Sequence, residues 1–183
     1  MKSFLHLNLL VGLIFILAET NSDVIYHVSP TEPLSSCSWY SSCPPHQLCH
    51  YLAEHSSEFF SADHINVTLI FMCGIHNYSK DLTAQNLNSF IIQGAAESRE
   101  NIIIINHQFS SRNGTSKSSC TIIQFLNISL VNIINLTMMC PSLNIMNSFI
   151  TVKNSNLYGY SGIKEILSFI TITGKGSQAL LDN

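Results

Sequence analysis

With 183 residues the chain is long enough for one domain of ordinary size. Hydrophobic residues make up 46% of it and charged residues only 10%, against the roughly 25% charged residues of a typical soluble domain. That balance excludes a disordered chain, which needs high charge and few apolar residues. A net charge of -3 with no basic cluster gives no reason to expect nucleic acid as a partner.

Lys2 followed by the short apolar run Leu9-Leu10-Val11-Gly12-Leu13-Ile14-Phe15-Ile16-Leu17-Ala18 reads as a secretory signal peptide over residues 1–22. The run is shorter than the ~20 apolar residues of a membrane span. No second run of that length is present, so the mature chain is expected to carry no span. Export agrees with six cysteines, an even set. It also agrees with five N-x-Ser/Thr sequons, at Asn66, Asn77, Asn113, Asn127 and Asn135. The chain is thus expected to be secreted, or held at the cell surface if a longer form carries an anchor.

Residues 23–64 read as an N-terminal cap. Val24 to Val28 forms a strand stopped by Pro30 and Pro33, and a Ser- and Cys-bearing loop leads to Pro44-Pro45. Proline fits the first turn of a helix, where the N–H groups lack partners anyway. Leu48, Tyr51, Leu52, His55 and Phe59 then recur on one face at helical spacing. The pattern predicts an amphipathic helix of about 10–14 residues lying across the open end of a stack of coils built by the remaining chain.

Residues 65–183 read as those stacked coils. Val67, Leu69 and Phe71 alternate with polar neighbours, as in a half-buried strand. Asp81 to Gly94 predicts two more short strands, and Ile102 to Ile105, without alternation, a strand covered on both sides or at a corner. His107 to Ser119 is polar and predicts a protruding loop. From Cys120 on the chain repeats itself: Val131–Asn135, Ser148–Asn154 and Ser168–Gly174 share, with Phe90–Gly94 further upstream, an apolar–x–apolar frame ending in Asn or Gly. The ends fall at 94, 135, 154 and 174, so the last two steps are 19 and 20 residues. A period near twenty with no helix between strands predicts an all-β fold, a parallel β-helix of about four coils. Leucine-rich repeats are the runner-up, but their L-x-x-L-x-L-x-x-N signature does not fit. In this frame Asn135, Asn154 and Gly174 stack as a ladder at one corner, where left-handed backbone suits Asn and Gly. Phe149 and Phe169 take outward positions, either as a stacked pair covered by a neighbouring loop or as an exposed aromatic pair for sugar rings.

Three segments carry a family resemblance: Cys43-Pro44…Leu48-Cys49-His50, Leu69-Ile70-Phe71…Gly74-Ile75-His76, and Ile133-Ile134-Asn135-Leu136-Thr137…Cys140. The chain resembles the secreted right-handed parallel β-helix proteins of animals, relatives in fold of the pectate-lyase-like superfamily. The resemblance implies a scaffold and no particular activity.

For catalysis, polysaccharide-cleaving β-helices need paired carboxylates, or a carboxylate-bound Ca²⁺ with a base. Between Cys120 and Asn183 only Glu165 and Asp182 are acidic, and Glu165, in a turn-like segment, cannot by itself serve as both acid and base; no catalytic residue is assigned. His46, His50, His55 and His64 cluster with Cys43 and Cys49, but in an exported chain those cysteines are better used in disulfides. No metal or cofactor is therefore expected. Cys120 and Cys140 lie one coil apart, so stacking puts them ~4.8 Å from one another, inside the ~4.4–6.8 Å Cα window for a disulfide. Cys43–Cys49 is a second candidate bridge, which leaves Cys37 with Cys73.

The expected function is a non-catalytic secreted or cell-surface module, structural or recognising an extracellular glycan or protein. The alternative is a fragment of a carbohydrate-active β-helix enzyme with its catalytic coils missing. The ending at Leu181-Asp182-Asn183, without a cap, predicts truncation at the C-terminus.

Overall fold

The computed structural model describes residues 23–37, 49–51, 65–95, 99–112, 115–158 and 170–182. Among them the chain is β throughout, apart from one 3-10 turn at Arg99–Asn101. It winds as a right-handed parallel β-helix of about four coils.

Two strands, β1 (Asp23–Ser29) and β2 (Cys49–Tyr51), precede the coils. Coil one is β3 (Asn66–Phe71), β4 (Gly74–Tyr78) and β5 (Leu82–Gln85). Coil two is β6 (Ser89–Gly94), β7 (Ile102–Arg112), β8 (Thr115–Cys120) and β9 (Ile122–Leu126). Coil three is β10 (Leu130–Ile134), β11 (Thr137–Met139) and β12 (Ser142–Met146). Coil four is β13 (Phe149–Lys153), β14 (Asn156–Tyr158) and β15 (Ile170–Thr173), and β16 (Gln178–Asp182) begins the next turn. The first sheet runs β16-β13-β10-β6-β3-β1-β2, the second β14-β11-β7-β4 and the third β15-β12-β9-β5.

Period-two alternation sends one set of side chains into the coil and the other to its surface. In the first sheet Val67, Phe90, Val131 and Ile150 stack in register, and beside them Leu69, Ile92, Ile133 and Val152. The third sheet contributes Leu82, Ile123 and Leu143, and Ala84, Phe125 and Ile145. All are buried, and each large one contributes roughly 1.5–3 kcal/mol by leaving water. Phe90 and Phe125 meet across the interior at 5.8 Å between centroids.

What turns the chain after strands of the first and third sheets is asparagine in a left-handed conformation, and after β11 of the second sheet Cys140 takes it, with φ of 60°. Asn86, Asn127 and Asn147 end the strands of the third sheet with φ of 59°, 54° and 51°. Asn135 and Asn154 end those of the first with φ of 57° and 45°. Only Asn, Asp and Gly take that conformation at low cost. Each of these backbone N–H groups donates to a carbonyl of the coil above, as Asn135 does to Lys153 at 3.1 Å. At Gly94, the equivalent corner of coil two, a Cβ would overlap the Asn135 carbonyl oxygen, so the first-sheet corner narrows to glycine there.

Four sequence expectations need correction. Cys49–Tyr51, within the predicted helix, is a strand parallel to β1, with His27 opposite Cys49 and Ser29 opposite Tyr51; the remainder of that helix lies outside the described residues. The β-rich His50-Tyr51 step can pair with an open sheet edge, and pairing there satisfies backbone groups that a surface helix would leave the edge without. His107 to Ser119 is an ordered excursion instead of a loop: β7 and β8 form an antiparallel ribbon from His107 opposite Cys120 to Arg112 opposite Thr115. Ile102 to Ile105 alternates after all, with Ile102 and Ile104 buried and Ile103 and Ile105 half-buried on the outer face.

The fourth correction concerns register. Ile170 to Thr173 does not join the first sheet beside β13; it pairs with β12 in the third, Leu143 opposite Ile170. The strand that continues the first sheet is β16, with Phe149 opposite Gln178 and Lys153 opposite Asp182. Ser148 and Ser177, equivalent corner positions, are 29 residues apart, whereas Asn135 and Asn154 are 19 apart. Coil four carries an insertion between β14 and β15, so a step of twenty residues there falls short of a whole turn.

Candidate functional site

The three sheets present chemically different outer surfaces. The first carries charge, with Asp23, Lys153 and Asp182 at outward positions. The second is mixed: one outward row is Asn77, Ile105, Met139 and Tyr158, the last two 42% and 53% exposed, and the other is Ile75, Ile103, Thr137 and Asn156. The third is polar without charge. Its central row is Thr83, Gln124, Asn144 and Thr171, each opposite the next. A second row, Gln85, Leu126, Met146 and Thr173, runs beside it.

In-register stacking makes this third surface a regular array. Equivalent residues recur at about 4.8 Å, the spacing between strands. Thr83 Oγ1 donates to Gln124 Oε1 at 3.3 Å. Beside the second row lies the asparagine corner: Asn127 Nδ2 donates to Asn86 Oδ1 at 3.3 Å, and Asn147 Nδ2 to Asn127 Oδ1 at 3.0 Å. Charge stands at the margins of the array and not within its rows: exposed Lys80 and Asp81 precede β5 and exposed Lys175 follows β15, and Asp81 Oδ1 accepts the backbone N–H of Ile122 at 2.7 Å. Amide and hydroxyl groups each donate and accept, so the surface is suited to hydroxyl-rich partners.

The two disulfides of the described residues bear on this architecture. Cys120–Cys140, with Cα atoms 5.3 Å apart, ties the root of the ribbon to coil three, as the one-coil spacing predicts. Cys37–Cys73, at 5.6 Å, fastens the segment after β1 to coil one. The same segment packs on Gly74, whose φ is 141° and where a Cβ would come within 2.5 Å of Pro30. Cys43 lies outside the described residues.

Four of the sequons fall on described positions, and their side chains are engaged. Asn66 Nδ2 donates to Asp23 Oδ1 at 2.6 Å and its Oδ1 accepts from Ser89 Oγ at 2.9 Å. Asn77 Nδ2 donates to Glu32 Oε1 at 2.9 Å. Asn127 and Asn135 are corner residues, so at these two places the sequon overlaps the Asn-(Ile or Leu)-(Ser or Thr) pattern of the turn itself. Asn113 lies outside the described residues.

The expected ladder is real in part. Asn154 Nδ2 donates to Asn135 Oδ1 at 2.8 Å. Gly174 is at the other corner, where the site of a Cβ is occupied by the Asn147 side chain. Sequence reading missed the ladder of Asn86, Asn127 and Asn147, although its spacings of 41 and 20 residues are visible in the chain. Phe149 faces Gln178 in the next rung rather than another aromatic residue; Phe169 lies outside the described residues, as do His46, His55, His64 and Glu165.

Inside the coil the side chains leave little room. A cavity of about 10 Å³ is lined by Leu69, Ile92, Ile104, Asn106, Ile123 and Met138, among others, enough for one water at most. Asn106 is fully buried and neither atom of its amide has a hydrogen-bond partner; Thr121 Oγ1 is likewise unpaired. His76, buried, holds Nε2 2.8 Å from the Met72 carbonyl and stacks edge-on to Phe71 at 4.8 Å. Among the described residues no three His, Cys, Asp or Glu side chains are grouped to hold a metal, and no helix is long and apolar enough to cross a membrane. Comparisons with protein-family models, with curated proteins and with solved structures find no match to this chain.

Proposed function

We propose that the protein is a non-catalytic recognition module of the extracellular space, which binds glycan on the outer surface of the third sheet. The observation that carries this reading is the uncharged row Thr83–Gln124–Asn144–Thr171 with Leu126 and Met146 beside it. A sugar ring combines hydroxyl groups, which need paired donors and acceptors, with apolar C–H surface. The array offers both side by side, and repetition over four coils gives it length.

An exported life is supported by the disulfides, which persist in oxidising compartments, together with the apolar N-terminal run and the sequons. In this reading the chain is kin to the secreted right-handed β-helix proteins of animals, sharing their scaffold. The test is a glycan array probed with the chain secreted from animal cells. Retention of a defined set of glycans is the expected result; failure to retain any glycan sinks the proposal.

A further inference from the structure

Resting on that reading, we infer that the ligand is a neutral, extended glycan chain lying along the coil axis, and that uronate-containing and sulfated polymers are excluded. Two observations bear on it. The first is electrostatic. Neither row of the third sheet contains a Lys, Arg or His, so an acidic sugar placed on it would lose hydration with no cation within the rows to replace it. Leaving an anion in that position is costly. Asp81, tied to the Ile122 N–H, is itself a carboxylate and repels another, while Lys80 and Lys175 stand outside the rows, before β5 and beyond the Gly174 corner. The first sheet, by contrast, does present Lys153.

The second observation is directional. Along the two middle strands outward residues change in kind: Gln124 is followed by Leu126, and Asn144 by Met146. Across strands the central row stays polar, Thr83, Gln124, Asn144 and Thr171 occupying one line, and beside it the apolar pair Leu126 and Met146 lies between Gln85 and Thr173. A polymer of repeating units meets repeating chemistry only by running across the strands. Its hydroxyl groups then track the amide row while its C–H faces lie over Leu126 and Met146. A short saccharide engages one or two rungs; a longer one engages more, so affinity grows with length until the four rungs are spanned.

The experiment is titration calorimetry on the secreted, disulfide-intact chain. The probes are neutral oligosaccharides of two to six units with gluco-, manno- and xylo- backbones, and oligouronates and heparin fragments of equal length. Neutral chains are expected to bind with affinity rising with length, and acidic chains not to bind. Gln124→Ala and Asn144→Ala should each weaken binding of the preferred neutral chain by about tenfold, the value of one well-made hydrogen bond. Tyr158→Ala, on the second sheet, should leave it unchanged. Tighter binding of uronates or heparin overturns this inference while leaving glycan recognition standing. Neutral binding that Gln124→Ala and Asn144→Ala do not affect overturns it by placing the ligand elsewhere. No binding by any probe overturns both.

Discussion

His76 sits 1% exposed against Phe71 in coil one, and burial lowers its pKa from 6.5 to about 4, although the Met72 and Ser29 carbonyls pull the other way. The unfolded chain therefore takes up a proton between those values that the folded chain refuses. Stability is whole above about pH 6.5 and falls as the pH drops towards 4, by roughly 3 kcal/mol for this one group. Urea midpoints at pH 7.5 and 4.5 measure it. His76→Phe, which keeps a ring beside Phe71, should remove most of the difference, and an unchanged pH slope in that variant contradicts the assignment. The corner asparagines act at the same scale in another way. They hold a backbone shape that β-branched residues resist, and their amides tie one coil to the next.

At the scale of elements, the ribbon of β7 and β8 is an outgrowth whose two strands, among the described residues, pair with each other beyond Asn106. The coil tolerates it because both its ends return to the wall within one rung. Cys120–Cys140 clamps that return to coil three and closes a separation of 20 residues. Replacing both cysteines by serine should cost about 3 kcal/mol through the entropy returned to the unfolded chain. It should also speed amide exchange in the ribbon more than in β10, which is buried in the first sheet between β6 and β13. Equal loss of protection in both would show the bond to act on the whole coil and not on the ribbon root.

For the molecule as a whole, contact runs from rung to rung and stability is a sum of neighbouring interfaces. The rungs are not equally well covered. β10 alternates half-buried and buried residues, whereas every residue of β16 is exposed, Leu180 and Leu181 to 53% and 61%. Few apolar contacts mean cheap local opening. Hydrogen exchange read by mass spectrometry should show Gln178–Asp182 and Ile170–Thr173 exchanging well before Leu130–Ile134. Comparable protection of the last rung and of β10 would mean that the chain opens as one unit.

The sequence by itself determined the winding: β-branched runs at a period near twenty, bounded by Asn or Gly and lacking helical spacing, leave a parallel β-helix as the way to bury Ile and Val on Ile and Val. It also determined the Cys120–Cys140 bridge, because one period separates the two residues. The first-sheet corner of Asn135 and Asn154 was legible for the same reason. Only the tertiary structure decided which strand belongs to which sheet. An apolar–x–apolar frame satisfies the inner face of any sheet equally well, so Ile170 to Thr173 reads like β13 yet lies in the third sheet. Insertions add residues without adding a turn, and counting along the chain cannot separate the two. The candidate site was hidden by that ambiguity: Thr83, Gln124, Asn144 and Thr171 lie scattered along the chain, and hydrogen bonding between rungs makes them one row.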